Sequence, residues 1–172
     1  MEGDEWTRRP MAAEPSTVLR FSSDDLSEVG VLARQLLDRS AAGWMNLRPD
    51  VEEDVDRAVA ISPLSKLFSG RGPVVPMATI VASDGSGRRG HVHSVGLEHR
   101  GGPKALQVLG EAGVERPDGL QRRQDHAKWG LVLEFGDALP TETLVRFVID
   151  AAVALTPIVL PDVWLASTYD SV

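Results

Sequence analysis

The stretch that decides the fold is HVHSVGLEHRGGPKALQVLGEA, residues 91–112. Residues 91–98 alternate between the two faces of an extended chain, a pattern typical of a β-strand. Gly101-Gly102-Pro103 then starts a helix over KALQVLGEA, because proline suits the first helical position, and Gly113 ends that helix. The stretch therefore predicts one strand followed by one helix.

The residues that follow extend this unit in a definite order. A polar strand at 120–126, an apolar strand at 130–135, a helix over 142–156 and a last strand at 163–168 come next. From residue 91 the order is β-α-β-β-α-β, which is that of a split βαβ unit. We therefore expect an α+β protein with a ferredoxin-like core over residues 91–168.

The residues before this core are less regular. VVPMATIVAS (74–83) predicts an extra strand, with Pro76 at its start or at a sheet edge. If it pairs with 91–98, it takes the position that the last strand of a ferredoxin-like sheet would fill. Ser22 and Asp25 have the spacing of a capping box and predict a helix over 24–42.

The chain length suits one domain. We divide it into a loose N-terminal arm (1–16), a helical and irregular segment (17–73), with one short helix predicted from Ser62-Pro63, and an α+β core (74–172).

Composition excludes several classes of protein. The net charge is −7, and residues 1–56 supply it with 13 acidic against 6 basic residues, so nucleic acid is not an expected partner. Arg146 and Asp150 interrupt the longest apolar run, and MEGDEW is unlike a signal peptide, so we expect no membrane association and a cytoplasmic location. The absence of cysteine removes disulfides and thiolate chemistry.

GSGRRG (85–90) matches a dinucleotide fingerprint, and His91 and His93 match part of a cupin metal motif. The fingerprint requires a strand joined to a helix, whereas here a strand follows, so we predict a hairpin and no cofactor. A cupin would need a second histidine motif, and strand alternation turns Glu98 away from the two histidines, so no metal is expected.

A more useful signal begins at His99. Gly101 and Gly102 at a helix start allow an anion to approach free backbone N–H groups, and Arg100 and Lys104 add positive charge. In the expected topology this loop shares one end of the sheet with the 125–129 hairpin. The predicted site therefore combines His99, Arg100, Gly101, Gly102, Lys104, Asp125, His126 and Lys128.

Two functions fit this site. The first is a non-catalytic module that binds a small anionic ligand or another protein. The alternative is an enzyme for a small anionic substrate, with His99 or His126 as acid or base. The helix 142–156 is also apolar on two sides, and its second side must be covered either by the helix 24–42 within one chain or by another subunit, in which case the protein would be a homodimer.

Three segments carry a resemblance to a known family. GWMNLRP (43–49), SVGLEHRGGPKAL (94–106) and QDHAKWGLV (124–132) resemble a family of uncharacterised actinobacterial proteins. The resemblance extends over most of the chain after residue 20. It implies no activity and assigns no role to any residue.

Overall fold

The computed structural model describes residues 14–39, 41–51, 72–83, 85 and 91–170. Within these ranges the chain forms seven strands and three helices. In chain order they are β1 (Thr17–Ser22), α1 (Ser27–Leu37), β2 (Gly43–Pro49), β3 (Met77–Ala82), β4 (His93–Glu98), α2 (Ala105–Glu111), β5 (Gln121–His126), β6 (Gly130–Phe135), α3 (Thr141–Leu155) and β7 (Val163–Asp170).

The seven strands form one sheet in the order β1-β7-β2-β3-β4-β6-β5, and every neighbouring pair is antiparallel. Consequently β4 and β5, which both flank β6, run in the same direction. Strands β1 and β5 form the two edges of the sheet.

The α+β class is confirmed, and the element order from β4 to β7 is the predicted one. A ferredoxin-like core is not confirmed, because the sheet is larger and β2 and β3 lie between β4 and β7. The extra strand β3 starts directly after Pro76 and pairs with β4, with Val81 opposite Ser94. It therefore does take the position that the last strand would otherwise fill. β3 and β4 are thus adjacent antiparallel strands, as the predicted hairpin requires, and its turn at 84 and 86–90 lies outside the described residues.

Two strands were not predicted. Residues 44–73 were expected to be irregular, yet Gly43–Pro49 is a strand in which Met45 and Leu47 are fully buried. Its partners β7 and β3 are remote in sequence, so no local sequence pattern predicts the pairing. β1 lies in residues for which only irregular or helical structure was expected. The short helix predicted from Ser62-Pro63 lies outside the described residues.

Helix α1 begins later and ends earlier than predicted. The Ser22 hydroxyl accepts a hydrogen bond from the Asp24 N–H at 3.2 Å, and Asp25 accepts one from the Ser27 N–H at 3.1 Å. These side chains therefore stabilise the turn between β1 and α1 rather than a helix that starts at residue 24.

The core lies between the helices and one face of the sheet. Its largest members include Trp164, Leu36, Met45, Ile80 and Leu133. Helix α1 packs on α3, and Val145 and Ile149 are buried within the chain. Val145 and Ile149 of the second apolar side of α3 are thus buried within one chain, although Val153 stays exposed, so these two residues do not require another subunit. No helix in the described part of the chain is long and apolar enough to cross a membrane.

The opposite face of the sheet is half-buried and mixed in character. Trp44 and Tyr169 stack there with ring centroids 5.1 Å apart, and the Thr79 hydroxyl donates a hydrogen bond to the Asn46 side chain at 2.9 Å.

Candidate functional site

Asp125 joins two parts of the predicted site. Because β4 and β5 are parallel, the loop after β4 and the end of β5 meet at the same end of the sheet. There the Asp125 carboxylate accepts hydrogen bonds from the N–H groups of Ala105, at 2.9 Å, and Leu106, at 3.3 Å. The first free N–H groups of α2 are therefore already bound to a carboxylate of the chain itself, and an external anion would have to displace it.

His99 lies beneath this loop and is fully buried. Its Nδ1 accepts a hydrogen bond from the Gly101 N–H at 3.1 Å, while its Nε2 has no hydrogen-bond partner among the residues that the structure describes. Burial lowers the pKa of His99, and the nearby Asp125 carboxylate opposes that shift. The imidazole is therefore neutral at pH 7, with its proton on Nε2.

Two glycines fit closely around His99. A Cβ on Gly101 would lie 2.9 Å from the Leu155 side chain, and one on Gly72 would lie 2.2 Å from the His99 carbonyl oxygen. The Gly72 N–H also donates to the Ala127 carbonyl at 3.0 Å. Gly72 was not singled out from the sequence, because nothing in its local pattern relates it to residue 99.

His126 lies at the exposed tip of the β5–β6 hairpin. Its Nδ1 accepts hydrogen bonds from the N–H groups of Lys128, at 3.1 Å, and Trp129, at 3.3 Å. The Lys128 ammonium lies 4.9 Å from the centre of the Trp129 ring. His126, Lys128 and Trp129 therefore contact one another at the tip of the hairpin.

The hydrogen bond to His99 disfavours acid–base catalysis by that residue. Its Nδ1 accepts the Gly101 N–H, so the buried neutral ring carries its proton on Nε2, which cannot act as a base there. The His126 Nδ1 also accepts backbone N–H groups, from Lys128 and Trp129.

Arg100 faces a different part of the fold. Arg100 and Gly101 line a shallow depression of about 380 Å³ with residues from the end of α3, namely Ala154, Leu155, Thr156 and Pro157. Arg100 therefore lies next to the C-terminal end of α3, where the helix dipole favours a positive charge.

The structure thus brings together His99, Gly101, Asp125 and the start of α2. Lys104 is exposed, with a backbone φ of 65°, and Gly102 is buried with a φ of 83°. Within the described residues, no hydrogen bond or ion pair joins the side chains of Arg100, Lys104 or Lys128 to Asp125. The eight-residue site stays a prediction, of which these residues form the connected part.

His93 is buried and bonded at both ring nitrogens. Nδ1 accepts from the Ser83 N–H at 3.1 Å, and Nε2 lies 2.8 Å from the Asp137 carboxylate. His91 is exposed, and its ring lies over Gly85. No group of three or more potential metal ligands occurs among the described residues.

A second candidate site lies along the β1 edge of the sheet, where no site was predicted. A groove of about 450 Å³ separates β1 from α1. We call it the β1 groove, and its lining is formed by Thr17, Val18, Leu19, Ser27, Glu28, Val31, Leu32 and Gln35. Val18 is 58% exposed and Val31 is 54% exposed, so both present apolar surface to solvent.

The backbone along this groove has a definite orientation. The Ser23 N–H donates to the Asp162 carbonyl, and the Asp50 N–H donates to the Val163 carbonyl. Ser23 and Asp162 therefore form a hydrogen-bonded pair between the β1 and β7 sides, and such pairs recur at every second residue of an antiparallel ladder. Counting back from Ser23, the residues of β1 that bond to β7 are Phe21, Leu19 and Thr17. Val18, Arg20 and Ser22 therefore turn their N–H and C=O groups away from β7, toward the open edge.

The sequence contained a signal for this site. TVLRFS (17–22) includes β-branched and aromatic residues in an alternating run, which is typical of a strand. The run is short, and a strand cannot be placed at an edge until its neighbours are known.

Comparisons with protein-family models, with curated proteins and with solved structures found no match. The resemblance to an actinobacterial family stays a prediction.

Proposed function

We propose that this protein is a non-catalytic protein-interaction module that binds an extended segment of another polypeptide along β1. The observation that carries the proposal is the open β1 edge beside an exposed apolar groove. Unpaired backbone groups on an edge strand are a template for an added strand, and main-chain hydrogen bonds then supply affinity.

The β1 groove supplies the side-chain contacts that strand addition needs. Alternate side chains of an added strand would point to the side of the sheet that carries α1. There they would meet Leu19, Val31 and Leu32. The remaining side chains would lie on the opposite face beside Val18. We therefore expect the bound segment to carry apolar residues at every second position.

Small-molecule functions have less support. The N–H groups expected to hold an anion are bonded to Asp125, and the two histidines considered for catalysis use Nδ1 as an acceptor. The anionic-ligand and enzyme hypotheses stay predictions of the sequence. Location in the cytoplasm likewise stays a prediction.

Peptide selection tests the proposal. A displayed library of random peptides of about eight residues, long enough for one strand, is selected on the intact protein at nanomolar concentration. We expect selected peptides to share apolar residues with a two-residue period. Val18→Pro should weaken their binding by about tenfold or more, because it removes an outward N–H and blocks the edge.

Two further variants make the test specific. Val31→Glu places a charge in the β1 groove and should also weaken binding. Val153→Glu alters another exposed valine, on α3, and should leave binding unchanged. Peptides that bind Val18→Pro and Val31→Glu as tightly as the unmodified protein would refute the proposal.

A further inference from the structure

We infer that the segment bound in the β1 groove is the β1 strand of a second copy of this chain, paired antiparallel about a two-fold axis at Leu19. The inference rests on the proposed function and names its partner. It follows from three features that a two-fold axis would bring together: the outward backbone groups of β1, the exposed apolar residues of the β1 groove and the few charges beside them.

The backbone restricts how two β1 strands can pair. Side chains opposite each other in a ladder lie on the same face, and only Val18, Arg20 and Ser22 offer outward backbone groups. A two-fold axis can then lie at any residue from Val18 to Phe21, but an axis at Phe21 would keep only Arg20–Ser22 of each copy in the ladder. An axis at Arg20 would set two guanidinium groups opposite each other, which destabilises a ladder. An axis at Val18 would set half of β1, namely Arg20–Ser22, opposite residues 14–16, which precede the strand.

The Leu19 axis avoids these problems. It keeps Thr17–Phe21 of both copies in the ladder, with Val18 of one copy bonded to Arg20 of the other. Leu19 then faces its own copy at a non-hydrogen-bonded position, where side chains approach most closely. The exposed Val31 of each α1 is brought toward the other copy on the same side of the sheet.

Charge permits this pairing although the chain carries a net charge of −7. The Arg20 guanidinium is bonded to Asp50 in its own chain at 2.8 Å. Glu28 is the one charged residue among those that line the β1 groove. Since the two α1 helices would run antiparallel about the axis, Glu28 lies nearer to Gln35 of the other copy than to the other Glu28.

The surface that two β1 strands can bury against each other limits the strength of association. A strand of six residues is about 20 Å long, so the buried surface falls at or below the lower end of standard protein interfaces. We therefore expect a dissociation constant of about micromolar magnitude.

Sedimentation equilibrium of the intact chain from about 1 to about 200 μM tests the inference across that range. The expected result is a rise from the 18.6 kDa chain mass toward twice that value. Val18→Pro and Val31→Glu should each remain monomeric with an unchanged circular dichroism spectrum, and Val153→Glu should associate like the unmodified chain. A monomer throughout the range, or an equally strong dimer in both groove variants, would overturn the inference.

The outcomes separate this inference from the proposed function. A monomeric protein that still binds selected peptides through Val18 would refute self-association alone. A dimer that persists in Val18→Pro, with peptide binding lost, would place the dimer on another surface and leave the proposed function standing. A monomer with no peptide binding would refute both.

Discussion

The two edges of the sheet differ in how open they are to another strand. β5 (QRRQDH) carries two arginines and an aspartate, and its register shifts between Arg122 and Gln124. β1 (TVLRFS) pairs regularly along its length and carries one charge, which is bonded to Asp50. Charges and bulges are the usual protection of an edge strand, so the protein protects β5 and leaves β1 available.

The β5 side is further occupied by bonds within the chain. Arg123 lies 3.7 Å from Glu134, Gln124 donates to the Trp129 carbonyl, and Asp125 binds the start of α2. Asp125, which belongs to the predicted site, is thus bonded within the chain, whereas Val18 and Val31 at the β1 groove present apolar surface to solvent. The comparison teaches that polar side chains at an edge can be bonded within the chain, as Asp125 is, whereas an apolar edge strand such as β1 keeps outward backbone groups for another strand.

The largest expected effect is a difference in stability between two proline substitutions in β1, one at a residue whose N–H points to β7 and one at a residue whose N–H points outward. Leu19→Pro removes an N–H that bonds to β7, so the free energy of unfolding should fall by about 3 kcal/mol or more. Val18→Pro removes an outward N–H, and the fall should be no more than about 1 kcal/mol. Urea unfolding monitored by tryptophan fluorescence measures both. Equal losses would show that the orientation assigned to β1 is wrong.

A smaller effect is expected at the β5 edge. Asp125→Ala leaves the Ala105 and Leu106 N–H groups without their carboxylate, which should cost about 1–2 kcal/mol of unfolding free energy, as for other helix N-terminal acceptors. Asp125→Asn retains one carbonyl oxygen and should cost less. If neither substitution changes stability, Asp125 does not hold the loop as we describe.

The smallest effect is a dependence on pH that arises at His99. Because burial lowers its pKa in the folded state, the unfolded chain binds the proton more readily. The stability from a neutral His99 is therefore fully present above the ordinary value of about 6.5 and is lost as pH falls below it. The slope from this group is at most about 1.4 kcal/mol per pH unit.

His99→Asn provides the control for this dependence, since its amide oxygen can still accept the Gly101 N–H while the side chain does not titrate. Urea unfolding from about pH 7.5 to about pH 5 should show a shallower decline for His99→Asn than for the unmodified chain. Parallel curves would mean that His99 is not a buried neutral imidazole.

Sequence patterns predicted the elements whose partners are near in the chain. GLVLEF is strand β6 at the predicted residues, and α3 differs from its prediction by one residue at each end. β2 was missed because GWMNLRP, with Gly43 and Pro49 at its ends, reads as irregular until its burial between β7 and β3 is known. The same holds for the site: the expected order of strands placed His99 and Asp125 at one end of the sheet, but could not show that the Asp125 carboxylate binds the first N–H groups of α2.

Cysteine cross-linking tests the difference between the two edges most directly, because the chain has no cysteine of its own. About a Leu19 axis, facing Cα atoms would lie about 4.5 Å apart, within the range of a disulfide. We predict that Leu19→Cys forms a covalent dimer under mild oxidation and that Val18→Pro abolishes it. Arg123→Cys, at a more exposed position on β5, should remain largely monomeric. Faster cross-linking of Arg123→Cys than of Leu19→Cys would contradict the assignment of β1 as the open edge.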